Sequence, residues 1–314
     1  YKRQVKEGAI LHKGTEYSLF HQTILNQLSK SLKEAKKQNE KLDLLCDVYS
    51  EIKMNTTDNQ QAIDDFIDWI TEISDLINSD KWNGEDVMAI FFNEFNRYKG
   101  KSERGQVFTP DHITSFMYRL LEVDQNDVIL DAACGSGAFL VKSMCNMIKE
   151  AGGINTDKAK EIKAKQLYGI EFDREIYALA CANMLIHKDG KTNLEQLDTR
   201  KEEAAKWIRE IKVKLESDSQ TKGITKVLMN PPFERAYGCM TIVKAVLDNV
   251  PVGTKCAFIL PDKKLEKDLT DKKYGNKVLK EHKVTTIIKL PENLFTGVTT
   301  SIFVFEAHKP QNGQ

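Results

Sequence analysis

From Val128 onward, short runs rich in β-branched and aromatic residues alternate with stretches long enough to hold helices. No other feature constrains the fold as much, because this alternation marks a parallel sheet covered on both faces by crossover helices. The runs are "VILD" (128–131), "LYGIE" (167–171), "LEQL" (194–197), "KVLMN" (226–230), "CAFIL" (256–260), "VTTIIKL" (284–290) and "SIFVFEA" (301–307). Only "PENLFTGVTT" separates the last two, which is too short for a helical crossover, so these two should pair antiparallel. The expected fold class is therefore α/β, with a seven-stranded, mostly parallel, Rossmann-like sheet.

The residues before this region read as helices. Leu45, Val48, Tyr49 and Ile52 recur at helical spacing, as do Ile63, Phe66, Ile67, Ile70, Ile73 and Ile77, and a further helix is expected from about Glu85 to Tyr98. The expected division is an all-α N-terminal domain over 1–104 and an α/β domain over 105–314. The 46 basic and 46 acidic residues cancel, which argues against a surface that clamps nucleic acid by overall charge. Six scattered cysteines without a C-x-x-C pair suggest neither a zinc ribbon nor a disulfide framework, so a reducing cytoplasm is expected and no metal is assigned. No apolar run is long enough to cross a membrane, and no export signal opens the chain. The first residue is Tyr1 rather than Met, which reads as part of a longer chain.

Polar residues gather where the strands end. "ILDAACGSGAFL" places Asp131 at a strand end, then Gly135 and Gly137 in a tight turn, then a helix from about Ala138. Such a turn lets backbone amides approach a ligand at a helix N-terminus, although any α/β protein can use the same turn structurally. A dinucleotide fingerprint would require glycine where Leu140 stands, so a ligand without a pyrophosphate is expected. Glu171 closes the second strand and suits a ribose diol; Asp173 reads as a helix N-cap. Asp198 follows the third strand and reads either as a helix cap or as an acceptor for an exocyclic amine. The fourth strand ends in "NPPF", Asn230 to Phe233, where two prolines fix φ and remove two backbone donors. Alone this is also turn punctuation.

With these motifs in the order "GQVFTP" (105–110), "DAACGSG" (131–137), "GIEFD" (169–173), "LDT" (197–199), "NPPF" (230–233), "FILP" (258–261) and "LPENLFTGVTTSIFVFE", the chain resembles class I S-adenosylmethionine-dependent methyltransferases. Within that group it resembles the DNA adenine-N6 methyltransferases, and most closely the modification (M) subunit of type I restriction-modification systems. The resemblance implies that Asn230 and Pro231 accept the hydrogens of the adenine amine, that Pro232 holds the turn and that Phe233 stacks on an extruded base. It further implies that Phe108, Thr109 and Pro110 lie near the methionine end of S-adenosylmethionine, with Asp131, Gly135 and Gly137 around its amino-acid portion, Glu171 at its ribose and Asp198 at its adenine amine. Phe108 reads equally as core.

The implied substrate is double-stranded DNA with a flipped adenine. The implied partners are a specificity (S) subunit, in a complex of two modification subunits to one specificity subunit, and a restriction subunit. Release-factor-type protein-glutamine methyltransferases also carry Asn-Pro-Pro after a helical domain, and "GQVFTP" and the closing "LPENLF" stretch favour DNA over that substrate; cytosine-N4 enzymes are a nearer alternative, although that group more often has Ser where this chain has Asn230. The basic runs Arg97–Arg104 and 263–283, the second with eight lysines against four acids, read as solvated faces or as phosphate contacts. No histidine receives a role.

Overall fold

A computed structural model describes residues 26, 60–88, 90, 109–187, 193–233, 238–262, 277–292, 294–295 and 297–310. The chain divides into two compact units, Tyr1–Trp82 and Asn83–Gln314. The expected boundary between 104 and 105 lies outside the described residues, as do the helix over 45–52, the run 97–104 and most of the run 263–283. In the first unit, helix α1 (Gln60–Ile77) matches the expected periodic stretch. Ile77 is buried, whereas Phe66, Trp69, Ile70, Ile73 and Leu76 remain 42–62% exposed.

The second unit holds a seven-stranded sheet built from β1 (Ile129–Asp131), β2 (Leu167–Glu171), β3 (Asn193–Gln196), β6 (Lys226–Met229), β7 (Lys255–Pro261), β8 (Lys283–Lys289) and β9 (Thr300–Glu306). All seven expected strands form, displaced at their ends by a residue or less. Their spatial order is β3-β2-β1-β6-β7-β9-β8. The first five are mutually parallel, and β9 runs antiparallel to both β7 and β8, as the short connection requires. A second, two-stranded sheet pairs β4 (Val213–Lys214) with β5 (Thr221–Lys222); strands of two residues carry no periodicity, and none was expected there.

Apolar content explains the placement of each strand. In the central strands, Ile129, Leu130, Val227, Leu228, Met229 and Phe258 have no exposed surface, because helices cover both faces and alternation gives way to continuous hydrophobicity. On one face, Leu130, Ile170, Val227, Met229 and Phe258 share a core with Ala204 and Ile208 of α6 (Glu202–Glu210) and Val243, Val246 and Leu247 of α7 (Cys239–Asn249). On the other, Gly169 of β2 lies so close to Leu140 of α3 (Ala138–Glu150) and Leu194 of β3 that an added Cβ would stand 2.9 and 2.4 Å from them. At the sheet's edge, β8 alternates exposed and half-buried residues. Around these elements are α2 (Asp111–Leu120), α4 (Asp157–Lys165), α5 (Arg174–Ile186) and the short α8 (Lys277–Glu281). Residues 82–86 are not helical, so the helix expected from Glu85 begins later, at Val87.

His187, which ends α5, is 3% exposed and its Nε2 has no hydrogen-bond partner among the described residues. Burial, assisted by the nearby Lys163 cation, holds its pKa down at about 4. Folded His187 therefore refuses a proton that the unfolded chain accepts near pH 6.5, so stability should be lost as pH falls from about 6.5 to 4, by up to ~3 kcal/mol. Urea unfolding of wild type and His187→Leu at pH 7 and pH 4.5 checks this: the substitution should flatten the pH dependence, and parallel curves would refute it.

Candidate functional site

The chain passes from β1 outward through β2 to β3 and then returns to the other side of β1 as β6. Here the winding reverses, and parallel sheets open a crevice beyond the carboxyl ends of their strands at such a point. Asp131, Glu171 and Asn230 stand at or just past the ends of β1, β2 and β6.

Asp131 is 1% exposed, and its Oδ1 accepts the Ala133 N–H at 3.2 Å. The turn then folds back on itself: the Cys134 N–H donates to the Ile170 carbonyl at 2.9 Å and the Gly137 N–H to the Cys134 carbonyl at 2.8 Å. Gly135 and Gly137 have φ of +56° and +91°, in the left-handed region that only glycine enters freely, and Gly137 is the N-cap of α3. Among the described residues, a Cβ added at Gly135 would meet nothing within 4 Å.

Glu171 ties this turn to the next strand. Its Oε2 accepts the Gly135 N–H at 3.1 Å and its Oε1 accepts the Asp173 N–H at 2.8 Å. With the Phe172 N–H as a third backbone donor, the carboxylate still has room for a further one. Burial raises the Glu171 pKa, and burial together with the neighbouring Glu171 charge pushes Asp131 well above the usual carboxylate range. Asp173 is an N-cap, as expected, accepting from the N–H groups of Glu175 and Ile176.

After β3, Thr199 donates to the Ala132 carbonyl at 2.6 Å, so this loop is fastened to the turn after β1. Asp198 does not cap a helix, since α6 begins at Glu202 with Lys201 as its N-cap. Instead it forms a two-point ion pair with Arg200, at 2.7 Å from Nε and 2.8 Å from the terminal nitrogen, which holds its pKa below the usual range. The guanidinium also lies 5.8 Å from the ring centroid of Phe172, a side chain left 57% exposed.

Beyond β6, the Asn230 Nδ2 donates to the Thr109 hydroxyl at 3.0 Å, while its Oδ1 is buried without a partner among the described residues. Pro231 is buried and Pro232 half-buried. Phe233 meets Phe295 edge to face, with centroids 5.3 Å apart and planes at 77°. Pro110 precedes α2 as its N-cap residue. Phe108 lies outside the described residues. Two direct groupings thus emerge: Gly135 with Glu171, and Thr109 with Asn230.

Sequence reasoning missed the partner of Asp198, because an ion pair two residues apart leaves no periodic trace. It also missed Asp86, which hydrogen-bonds to Ser136 of the glycine turn and to Asn183 of α5. Asp248, Glu281 and His282 form the group of candidate metal ligands among the described residues. His282 accepts the His308 N–H at Nδ1 and so carries its proton on Nε2, facing Asp248, which leaves neither nitrogen for a cation.

The family model for N-6 DNA methylases matches residues 85–249 and 240–314. Among curated proteins, the type II restriction enzyme and methyltransferase RM.BcgI of Heyndrickxia coagulans is 31% identical over 286 residues, covering 86% of this chain and 42% of that protein. The type I restriction enzyme EcoEI methylase subunit of Escherichia coli is 24% identical over 214 residues, 66% of this chain and 43% of that protein. The chain therefore spans less than half the length of these relatives. In fold it is similar to the type I restriction-modification system methyltransferase subunit of Streptococcus thermophilus, with a TM-score of 0.55 and 15% identity over 98% of this chain and 68% of that one.

Gly137→Ala should lower the unfolding free energy by ~1–2 kcal/mol, the strain of an L-residue at positive φ. Among the described residues the new Cβ would meet only the Met184 sulfur, at 3.9 Å, so strain rather than collision sets the loss. Denaturant unfolding checks this, and an unchanged midpoint would refute the left-handed turn.

Proposed function

Because the chain belongs to the N-6 DNA methylase family, we propose that it transfers a methyl group from S-adenosylmethionine to N6 of an adenine flipped out of double-stranded DNA. It acts as the modification subunit of a restriction-modification system, assembled two to one with a specificity subunit and served by a restriction subunit where one is present. The similar EcoEI protein is named as a methylase subunit, which supports a shared assembly. The scattered cysteines, without a C-x-x-C pair, support a reducing cytoplasm; among the described residues no helix is long and apolar enough to cross a membrane. The helical domain over 1–104 and the catalytic domain over 105–314 belong to this reading.

One observation carries it: the buried Oδ1 of Asn230, without a partner among the described residues, beside a strand end at the reversal of the sheet. Leaving an amide oxygen unsatisfied in a protein interior costs roughly 1–3 kcal/mol, so such an acceptor is explained if a ligand donates to it. Adenine N6 is a poor nucleophile, because its lone pair is delocalised into the ring. Asn230 Oδ1 and the Pro231 carbonyl, accepting the two amine hydrogens, draw that lone pair out of conjugation and aim it along one direction. Thr109 holds the amide by its nitrogen and leaves the oxygen to face away from that bond. The prolines keep competing N–H groups away, and Phe233, braced by Phe295, offers a ring for the extruded base.

S-adenosylmethionine supplies the electrophilic methyl group, and the residues at the strand ends suit it. The open approach to Gly135 admits its amino-acid portion, and Asp131 and Gly137 shape the same turn. Glu171 retains lone pairs for ribose hydroxyls, and Asp198, held ionised by Arg200, can accept from an adenine amine. Thr109, Pro110 and Phe108 take the methionine end. Positioning and preorganised acceptors account for the catalysis, with no group required to form a covalent intermediate.

Transfer of labelled methyl to DNA, followed by nucleoside analysis, tests the reading with the chain alone and with its specificity subunit. N6-methyladenine is expected with the partner. Asn230→Ala should lower turnover about 10²–10³-fold, the scale on which a preorganised hydrogen-bonding group acts, with cofactor affinity retained. Glu171→Ala should weaken S-adenosylmethionine binding by ~1–3 kcal/mol in calorimetry. Methylation of protein glutamine in place of DNA, or full activity in Asn230→Ala, would overturn the proposal.

A further inference from the structure

The segment Asn83–Asp86 has no place in the chemistry above, yet it grips the glycine turn. Asp86 is 7% exposed. The Ser136 hydroxyl donates to its Oδ2, and the Asn183 amide donates to its Oδ1 at 3.0 Å and to the Ser136 carbonyl at 2.8 Å. Asn183 is wholly buried in α5. One carboxylate therefore joins the turn between Gly135 and Gly137 to a helix that follows β2.

The rest of the segment is fastened as firmly. The Asn83 carbonyl accepts from Lys142 Nζ at 2.7 Å, and Lys149 Nζ reaches the Asn83 Oδ1 at 2.9 Å. Lys142, itself 3% exposed, also pairs with Asp111 at the start of α2 at 2.7 Å, two residues past Thr109. Gly84, at φ +73°, lies flush on α3, where an added Cβ would stand 2.7 Å from the Cys145 Cβ. Burying a carboxylate is unfavourable unless its hydrogen bonds are met, and here they are met by Ser136 of the turn and Asn183 of α5.

We propose that Asp86 is a positioning residue for the cofactor: through Ser136 and Asn183 it holds the turn in the one conformation that presents Gly135 and Gly137 to S-adenosylmethionine. This rests on the cofactor reading given above. A purely architectural Asp86 would stabilise the chain without changing ligand affinity, whereas a positioning Asp86 couples the two.

Calorimetric titration with S-adenosylmethionine, together with hydrogen exchange of the amides from Ala133 to Ala138, separates these roles in the full chain. Asp86→Ala and Ser136→Ala should each weaken binding about tenfold and speed exchange across the turn. The double variant should bind no more weakly than Asp86→Ala, since both changes remove one shared interaction. Asp86→Asn, whose amide can still accept from Asn183 and donate to the Ser136 hydroxyl, should recover part of the affinity. If Asp86→Ala does not fold, Ser136→Ala decides. Unchanged affinity with only a lowered melting temperature, or losses that add, would overturn the proposal. Failure of the unmutated chain to bind S-adenosylmethionine would overturn the cofactor reading and this inference with it, and is distinguished by appearing before any substitution is made.

Discussion

Parallel pairing of β1 with β2 on one side and β6 on the other decides where every polar residue of the site can stand. The registers bring Ile129 opposite both Leu167 and Lys226, so Asp131, Glu171 and Asn230 emerge at neighbouring points of one edge. Sliding β6 by one residue would exchange the faces of Val227 and Met229 with those of Lys226 and Leu228 and turn Asn230 to the opposite face, and the packing of both covered faces opposes it. The chemistry of the edge is thus fixed by hydrophobic residues that never touch a substrate.

That edge concentrates unfavourable electrostatics. Asp131 and Glu171 are both desolvated; the Glu171 charge adds to Asp131's difficulty in holding its own, and the Asp173 charge to that of Glu171. Backbone N–H groups from Ala133, Gly135 and Asp173 offset part of this. Because two of those donors, Ala133 and Gly135, are amides of a turn with two left-handed glycines, the electrostatics and the backbone shape are a single device. Asp198 solves the same problem differently, with a guanidinium at its side and more water around it.

The sequence disclosed the sheet because buried strands announce themselves as apolar runs that stop at turn residues. Asn230 was legible for that reason: an amide and two prolines abruptly end Val227, Leu228 and Met229. The glycine turn and the Asp173 cap were legible because positive φ and capping have short local signatures. What stayed hidden is held together at long range. Asp86 sits in "NGEDVM" as an ordinary acidic loop residue, and only the fold puts it against Ser136, 50 positions away. Thr109 was reached through resemblance alone, since no local pattern couples it to a residue 121 positions later. The exposed apolar face of α1 shows the converse: helical spacing foretold the helix, but not that Trp69 would stay open.

The last strand also governs the order in which the molecule can be made. β9 lies between β7 and β8, so both flanking strands leave the ribosome before the strand that unites them. Until Thr300–Glu306 emerges, β7 has β6 on one side and a bare row of backbone donors and acceptors on the other. Such an edge invites pairing with another nascent chain. The growing protein must keep that gap shielded through the synthesis of more than a whole strand, and the sheet closes only when its C-terminal strand slides into the slot left for it.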